Sequence, residues 1–83
     1  MLTGFNNNIV YRDEVYHVQT ENRGIENLEI VTLIYKKGAI VASKRNKYDE
    51  IMSDEDSEET IKQLMENQHK NMIKALIGGQ LDV

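Results

Sequence analysis

The spacing of apolar residues changes period once along this chain. From Phe5 to Lys47 they alternate with polar residues or cluster in short runs rich in valine, isoleucine, threonine and tyrosine, the pattern of strands bounded by turns. Further on, Ile61, Leu64, Met65, Met72, Ala75 and Leu76 recur at spacings of three and four, the period of an amphipathic helix. A first strand is expected over Phe5–Arg12. Asparagine at 6, 7 and 8 is poor strand material, which moves its expected start towards Asn8 or Ile9. A second strand is expected over Val15–Glu21, joined to the first around Asp13-Glu14. The stretch "NRGIENLE" then reads as a loop in which Gly24 supplies positive φ. A third strand follows over Glu29–Tyr35 and a fourth over Ala39–Lys47, with "KKG" between them as a short hairpin loop carrying a bulge. The helix is expected over Ser57–Ile77. Asp56 or Ser57 caps it, Glu59 completes a capping box with Asp56, Gly78-Gly79 stops it, and Lys70 and Lys74 near its end suit the helix dipole. Together these predict one α+β domain over residues 1–83, a four-stranded antiparallel sheet (a meander) with one C-terminal helix packed on one face.

Side-chain parity makes the two sheet faces unequal in an unusual way. In the second strand Tyr16, Val18 and Thr20 share one face, and Val15, His17, Gln19 and Glu21 the other. In the third, Ile30, Thr32 and Ile34 oppose Val31, Leu33 and Tyr35, and both sets are largely apolar. The fourth repeats this, with Ile40 and Ala42 against Ala39 and Val41. A sheet with one wet face alternates cleanly, and these strands do not. One helix, presenting Leu64, Met65, Met72 and Leu76, covers one face and leaves the other open. The expected cover is a second copy or another protein, which makes the chain a homo-oligomer, in the first place a dimer. The expected interaction surface is His17, Gln19, Val31, Leu33, Tyr35 and Val41.

Size supports that expectation: 83 residues bury only about 60–65% of the unfolded surface, so one chain has a modest core. Cysteine is absent, which removes disulfides, thiolate zinc sites and thiol nucleophiles. The start lacks a basic n-region and no window reaches the roughly 20 apolar residues of a membrane span, so the expectation is a soluble cytoplasmic protein. The formal charge is −4, which disfavours a general nucleic-acid binder. Its distribution is uneven: Lys36, Lys37, Lys44, Arg45 and Lys47 form a basic segment with no acid, and the acids of residues 49–59 follow it.

The candidates for chemistry are few. His17 lacks an adjacent nucleophile, since the serines are Ser43, Ser53 and Ser57, and no spacing names a triad. As a metal set, His17 and Glu21 stand four strand residues apart, about 13 Å at about 3.3 Å per residue, too far for one ion; His69 reads as a histidine at the core boundary. In "DEDSEE", Asp54, Asp56 and Glu58 fit positions 1, 3 and 5 of a calcium loop, but Glu59 and Met65 occupy the places of its glycine and its final glutamate. Phosphate loops are missing, because Gly78-Gly79 follows a helix. No cofactor is implied. The basic segment, with Tyr35 and Tyr48 at its margins, suits single-stranded nucleic acid on a sheet surface, or else guards an edge strand against unwanted pairing.

Three stretches, "YHVQTENRG", "IVTLIYKKGAIVASKRNKY" and "LMENQHKNMIKALIGGQLD", are similar to short uncharacterised bacterial proteins of deltaproteobacterial type. The resemblance covers about Phe5 to Asp82. It implies a stand-alone module and carries over no catalytic or binding residue. The expected function is therefore a non-enzymatic interaction or assembly module that self-associates through the open sheet face. The alternative is a small nucleic-acid-binding regulator using the 36–47 surface.

Overall fold

Two tight hairpins and one longer connection set the strand order. A computed structural model describes residues 4–23, 29–48 and 57–81, and in it β1 (Gly4–Tyr11), β2 (Glu14–Asn22), β3 (Glu29–Lys36) and β4 (Ala39–Lys47) form one antiparallel sheet in chain order, followed by α1 (Ser57–Ile77). The expected α+β meander with one C-terminal helix is the observed fold. Both hairpin loops have two residues at positive φ: Arg12 at 51° and Asp13 at 66°, then Lys37 at 52° and Gly38 at 83°. Two such residues twist a hairpin in the same sense as its strands. Placing the first turn at Arg12-Asp13, one residue before the expected position, puts a bulky residue in a left-handed conformation. The Arg12 guanidinium lies 5.1 Å from the Tyr11 ring centroid, a cation–π contact that offsets part of that strain. The β2–β3 connection is closed by the Arg23 amide donating to the Glu29 carbonyl at 2.8 Å.

β1 runs without interruption from Gly4 against β2, so the asparagines do not delay its start. β4 holds the one register shift in the sheet: Ile34 faces Ala42, while Tyr35 faces Ile40. Val41 is the extra residue of a bulge. Strict alternation placed Val41 on the open face; the bulge instead leaves it half-buried and packed against the core.

Helix α1 lies over β1, β2 and β3. Its buried positions are Met65, Gln68, His69, Met72 and Leu76, one stripe at spacings of three and four. Leu64 was expected on that stripe but is 37% exposed, because a step of one residue turns about 100° around the helix. Met65→Ala is accordingly expected to cost about 2–5 kcal/mol. Leu64→Ala should cost less than about 1 kcal/mol and Lys62→Ala almost nothing; chemical denaturation checks all three, and equal losses at 64 and 65 would refute this register. The helix ends in a Schellman motif. Gly79, at φ 73°, donates to the Leu76 carbonyl at 3.2 Å, and Gln80 donates to that of Ala75 at 2.9 Å. Leu81 then folds back onto the core. The expected capping box at Asp56, the Gly24 loop and the "DEDSEE" acids up to Asp56 lie outside the described residues. No helix among the described residues is long and apolar enough to cross a membrane.

Candidate functional site

The three asparagines of β1 are explained by two histidines, one on each side of the sheet. Asn7 points under the helix, where its Oδ1 lies 2.7 Å from His69 Nε2. Asn6 and Asn8 point the other way and flank His17, at 3.3 Å from Nε2 and 2.9 Å from Nδ1. These side-chain hydrogen bonds outweigh the weak strand preference of asparagine, a preference that tertiary partners routinely reverse. His17 and His69 therefore stand on opposite faces and cannot share a metal ion. Among the described residues no group of three ligating side chains lies together.

Beneath the helix the core is crossed by a belt of polar residues. His69 Nδ1 lies 2.7 Å from Thr20 Oγ1, which lies 2.7 Å from Thr32 Oγ1. Gln68 Nε2 donates to Thr32 Oγ1 at 2.9 Å and to the Ile30 and Lys44 carbonyls at 3.3 Å. Asn46 Nδ2 closes the series on Gln68 Oε1 at 2.5 Å. The belt thus runs from β1 to β4, with the apolar cluster of Tyr16, Val18, Ile34, Met72 and Leu76 on one side of it and Phe5, Ile30 and Met65 on the other. Phe5 stacks on the His69 ring with centroids 5.7 Å apart.

Donor accounting gives this chain a direction. Gln68 is a donor to Thr32, so the Thr32 hydroxyl is free to donate to Thr20, and Thr20 to His69 Nδ1. The ring is then neutral with its proton on Nε2, donating to Asn7. Burial acts in the same sense, holding the His69 pKa below its usual value, since a low-dielectric site disfavours the cation. The short His69–Thr20 contact has the composition of a base and a hydroxyl nucleophile. However, Thr20 is 0% and His69 4% exposed, so no substrate reaches the pair, and its hydrogen bonds join the helix to the sheet.

The opposite face presents most of the expected interaction residues. His17 stacks near Tyr35, with centroids 6.1 Å apart. Gln19 donates to Glu21, and Leu33 is half-buried between Gln19 and Ser43. Val31 is a correction: it is only 1% exposed. Its cross-strand neighbours are Glu21 and Arg45, held at this end of the face by ion pairs Arg23–Glu21 at 3.4 Å and Arg45–Glu29 at 3.1 Å. At the opposite end, near the hairpin turns, Val10, Val15 and Ile40 are 70%, 56% and 56% exposed and share this face with Tyr35.

The basic segment does not form one surface. Lys36 and Lys44 pair with residues of the helix side, Arg45 and Lys47 with residues of the open side, and Lys37 lies in the turn, 3.9 Å from Glu14. Lys36 sits 5.9 Å from the Tyr16 ring centroid. Tyr48, expected at the margin of this segment, donates to Asn22 at 2.8 Å. Burial raises its pKa, and that hydrogen bond opposes the rise. Because α1 stops short of β4, a groove of about 390 Å³ runs between them, lined by Lys44, Asn46, Gln68, Asn71, Met72 and Leu81.

The polar belt went unread in the sequence, although a signal existed. Thr20 and Thr32 carry the buried parity of their strands, and Gln68 and His69 fall three and four residues after Met65 in the buried helical phase. No known protein family, functionally described protein or solved structure matches the chain.

Proposed function

We propose that the protein is a non-enzymatic assembly module that docks a second copy of itself on the sheet face opposite α1. The observation that carries this reading is the grouping of exposed Val10, Val15 and Ile40 beside half-buried Tyr35 and Leu33. Apolar side chains so grouped mark contact surfaces. Four strands of about eight residues, at about 3.3 Å per residue and about 4.8 Å between strands, present roughly 500 Å² per copy. Two copies bury about 1,000 Å², at the threshold of a biological contact and below the roughly 1,200–2,000 Å² of stable ones. Glu21, Glu29, Arg23, Arg45 and Lys47 mix both signs at the charged end, so a two-fold partner meets acid with base as readily as like with like. His17, held between Asn6 and Asn8, borders the apolar patch and contributes polar specificity to the contact.

Light scattering at tens of micromolar tests this. The expected mass is a multiple of the 9.6 kDa chain, and Leu33→Lys is expected to fold while halving that mass. An unchanged mass in the variant, or a monomeric wild type, sinks the reading. The nucleic-acid alternative is weakened by the division of Lys36, Lys37, Lys44, Arg45 and Lys47 between two faces and a turn. Absence of salt-sensitive binding to single-stranded DNA or RNA at low ionic strength is the expected result; tight binding that weakens as salt rises favours the alternative.

A further inference from the structure

The two edges of the sheet are defended very differently. β4 carries Lys44, Arg45 and Lys47 and is kinked by its bulge. Those are devices that keep an edge strand from pairing with another chain. Pairing two β4 edges would bring these cations together, which cross-strand pairs disfavour. β1 has none of these devices. From Gly4 to Tyr11 it carries no charge and no proline, and its register against β2 is unbroken over eight residues. Its outward amides and carbonyls form a regular, uncharged template.

We propose that the outer edge of β1, unpaired among the described residues, pairs antiparallel with β1 of a second copy, joining two sheets into one of eight strands. This contact uses a different surface from the face described above. An antiparallel pair of identical strands is two-fold symmetric by construction, so the surface is complementary to itself.

Parity selects the register. Phe5, Asn7, Ile9 and Tyr11 pair with residues on the helix side of β2, and Asn6, Asn8 and Val10 with residues on the open side. Residues directly opposite in an antiparallel pair share a face. Both helices stay on one side of the joined sheet only when the two-fold axis is normal to it, and such an axis lies level with a residue position, which leaves Asn7 or Asn8 near the strand centre. With the axis at Asn7, Phe5 meets Ile9 of the second copy, and Asn6 meets Asn8. With the axis at Asn8, Asn6 meets Val10 and Asn7 meets Ile9. The first arrangement matches apolar with apolar and amide with amide, so the geometry points to Asn7. Each asparagine keeps spare donors and acceptors beyond its histidine bond, and these pair across the new junction. The joined sheet also doubles the open face available for docking.

The chain has no cysteine, so introduced thiols report the contact cleanly. Directly opposite residues have Cα atoms about 4.5–5.5 Å apart, within the disulfide range of about 4.4–6.8 Å. Asn6→Cys and Asn8→Cys, both at exposed positions, are prepared separately, exchanged together and oxidised. About half of the mixed sample, the statistical share of mixed pairs at equal amounts of the two variants, is expected to form a disulfide-linked dimer on a non-reducing gel. Each variant alone is expected to link little, because identical positions are diagonal neighbours about 7–8 Å apart. Stronger linkage of Asn8→Cys to itself overturns the register, and linkage in the mixture no greater than in the separate samples overturns the edge contact. As a second readout, Asn6→Lys/Asn8→Lys is made in the Leu33→Lys background, where the face contact is already lost, because both asparagines also border that face beside His17. It is expected to halve the remaining mass, and mixing with Asn6→Glu/Asn8→Glu in the same background to restore it, whereas an unchanged mass overturns the proposal. Leu33→Lys is expected to leave the 6–8 linkage intact, so failure of the face contact and failure of the edge contact are separately visible.

Discussion

Ile34→Lys is expected to yield no folded protein, whereas Leu33→Lys, one residue away, keeps the fold. Ile34 is 0% exposed and packs with Tyr16, Val18, Met72 and Leu76. Its cross-strand neighbours are Val18 and Ala42, so no carboxylate stands ready to pair with an ammonium. Burying an unpaired charge costs several kcal/mol even after relaxation. The loss of apolar burial adds about 2–3 kcal/mol. A domain of this size has about 5–15 kcal/mol in total, so the sum removes most or all of its stability. Leu33 points to the other face, where a lysine extends its head into water while its stem stays on the sheet. Far-UV circular dichroism and thermal melts compare the two. Similar melting temperatures would show that the assigned parity of β3 is wrong.

That parity illustrates what was legible in the sequence and what was not. The bounds of β4 and α1 were readable because each is fixed by local chemistry: Lys37-Gly38 turns the chain before Ala39, and Gly78-Gly79 ends the helix in a Schellman motif. The two alternating sets of β2 and β3 were readable for a similar reason, but which set of β3 faces the helix was not, because both are largely apolar. A period of two survives wherever pairing is regular. It failed at Val41, where the bulge spends two residues against one and no local residue announces it. It failed again at Asn6–Asn8, where strand propensity argued against structure that two distant histidines supply. His69 reaches Asn7 from 62 positions away, and no window along the chain contains both. For the candidate surface, parity grouped His17 with Gln19 and Leu33 with Tyr35, and their pairing puts all four on the face opposite α1. Val31 was lost because its neighbours Glu21 and Arg45 come from the two flanking strands, and no window of β3 contains them.

Replacing His69 is the second large effect expected. His69→Leu keeps the volume but offers nothing to Thr20 Oγ1 and Asn7 Oδ1, both 2.7 Å from the ring. Among the described residues every buried side-chain polar atom has a partner, so the variant creates the first orphan, Thr20 Oγ1, in a satisfied belt. An unsatisfied buried group costs about 1–3 kcal/mol, and that is the expected loss, carried by Thr20, since Asn7 is exposed and turns to water; Thr20 softens it where it turns fully to Thr32. His69→Gln, which can both accept and donate, should lose less. The same residue sets a pH dependence. Burial holds the folded-state pKa of His69 below the ordinary value, while the unfolded chain titrates near about 6.5. Above that pH the ring is neutral in both states and contributes no penalty. As pH falls below about 6.5 the unfolded state binds the proton that the folded state resists, so stability declines until the lowered folded pKa is passed. On the helix, Glu66 and Lys70 flank this ring in sequence. Phe5, Asn7 and Thr20 meet it from β1 and β2, and none of these three carries a charge that would hold the proton. Protonation also breaks the order of the belt: Nδ1 must then donate to Thr20, and the Thr32 hydroxyl, receiving from both Gln68 and Thr20, loses its acceptor. Urea denaturation at pH 7 and pH 5.5 is expected to show a larger drop for the wild type than for His69→Gln, the difference isolating the histidine from the carboxylates. Equal drops in the two proteins would show that the folded chain accepts a charged His69 as readily as the unfolded one.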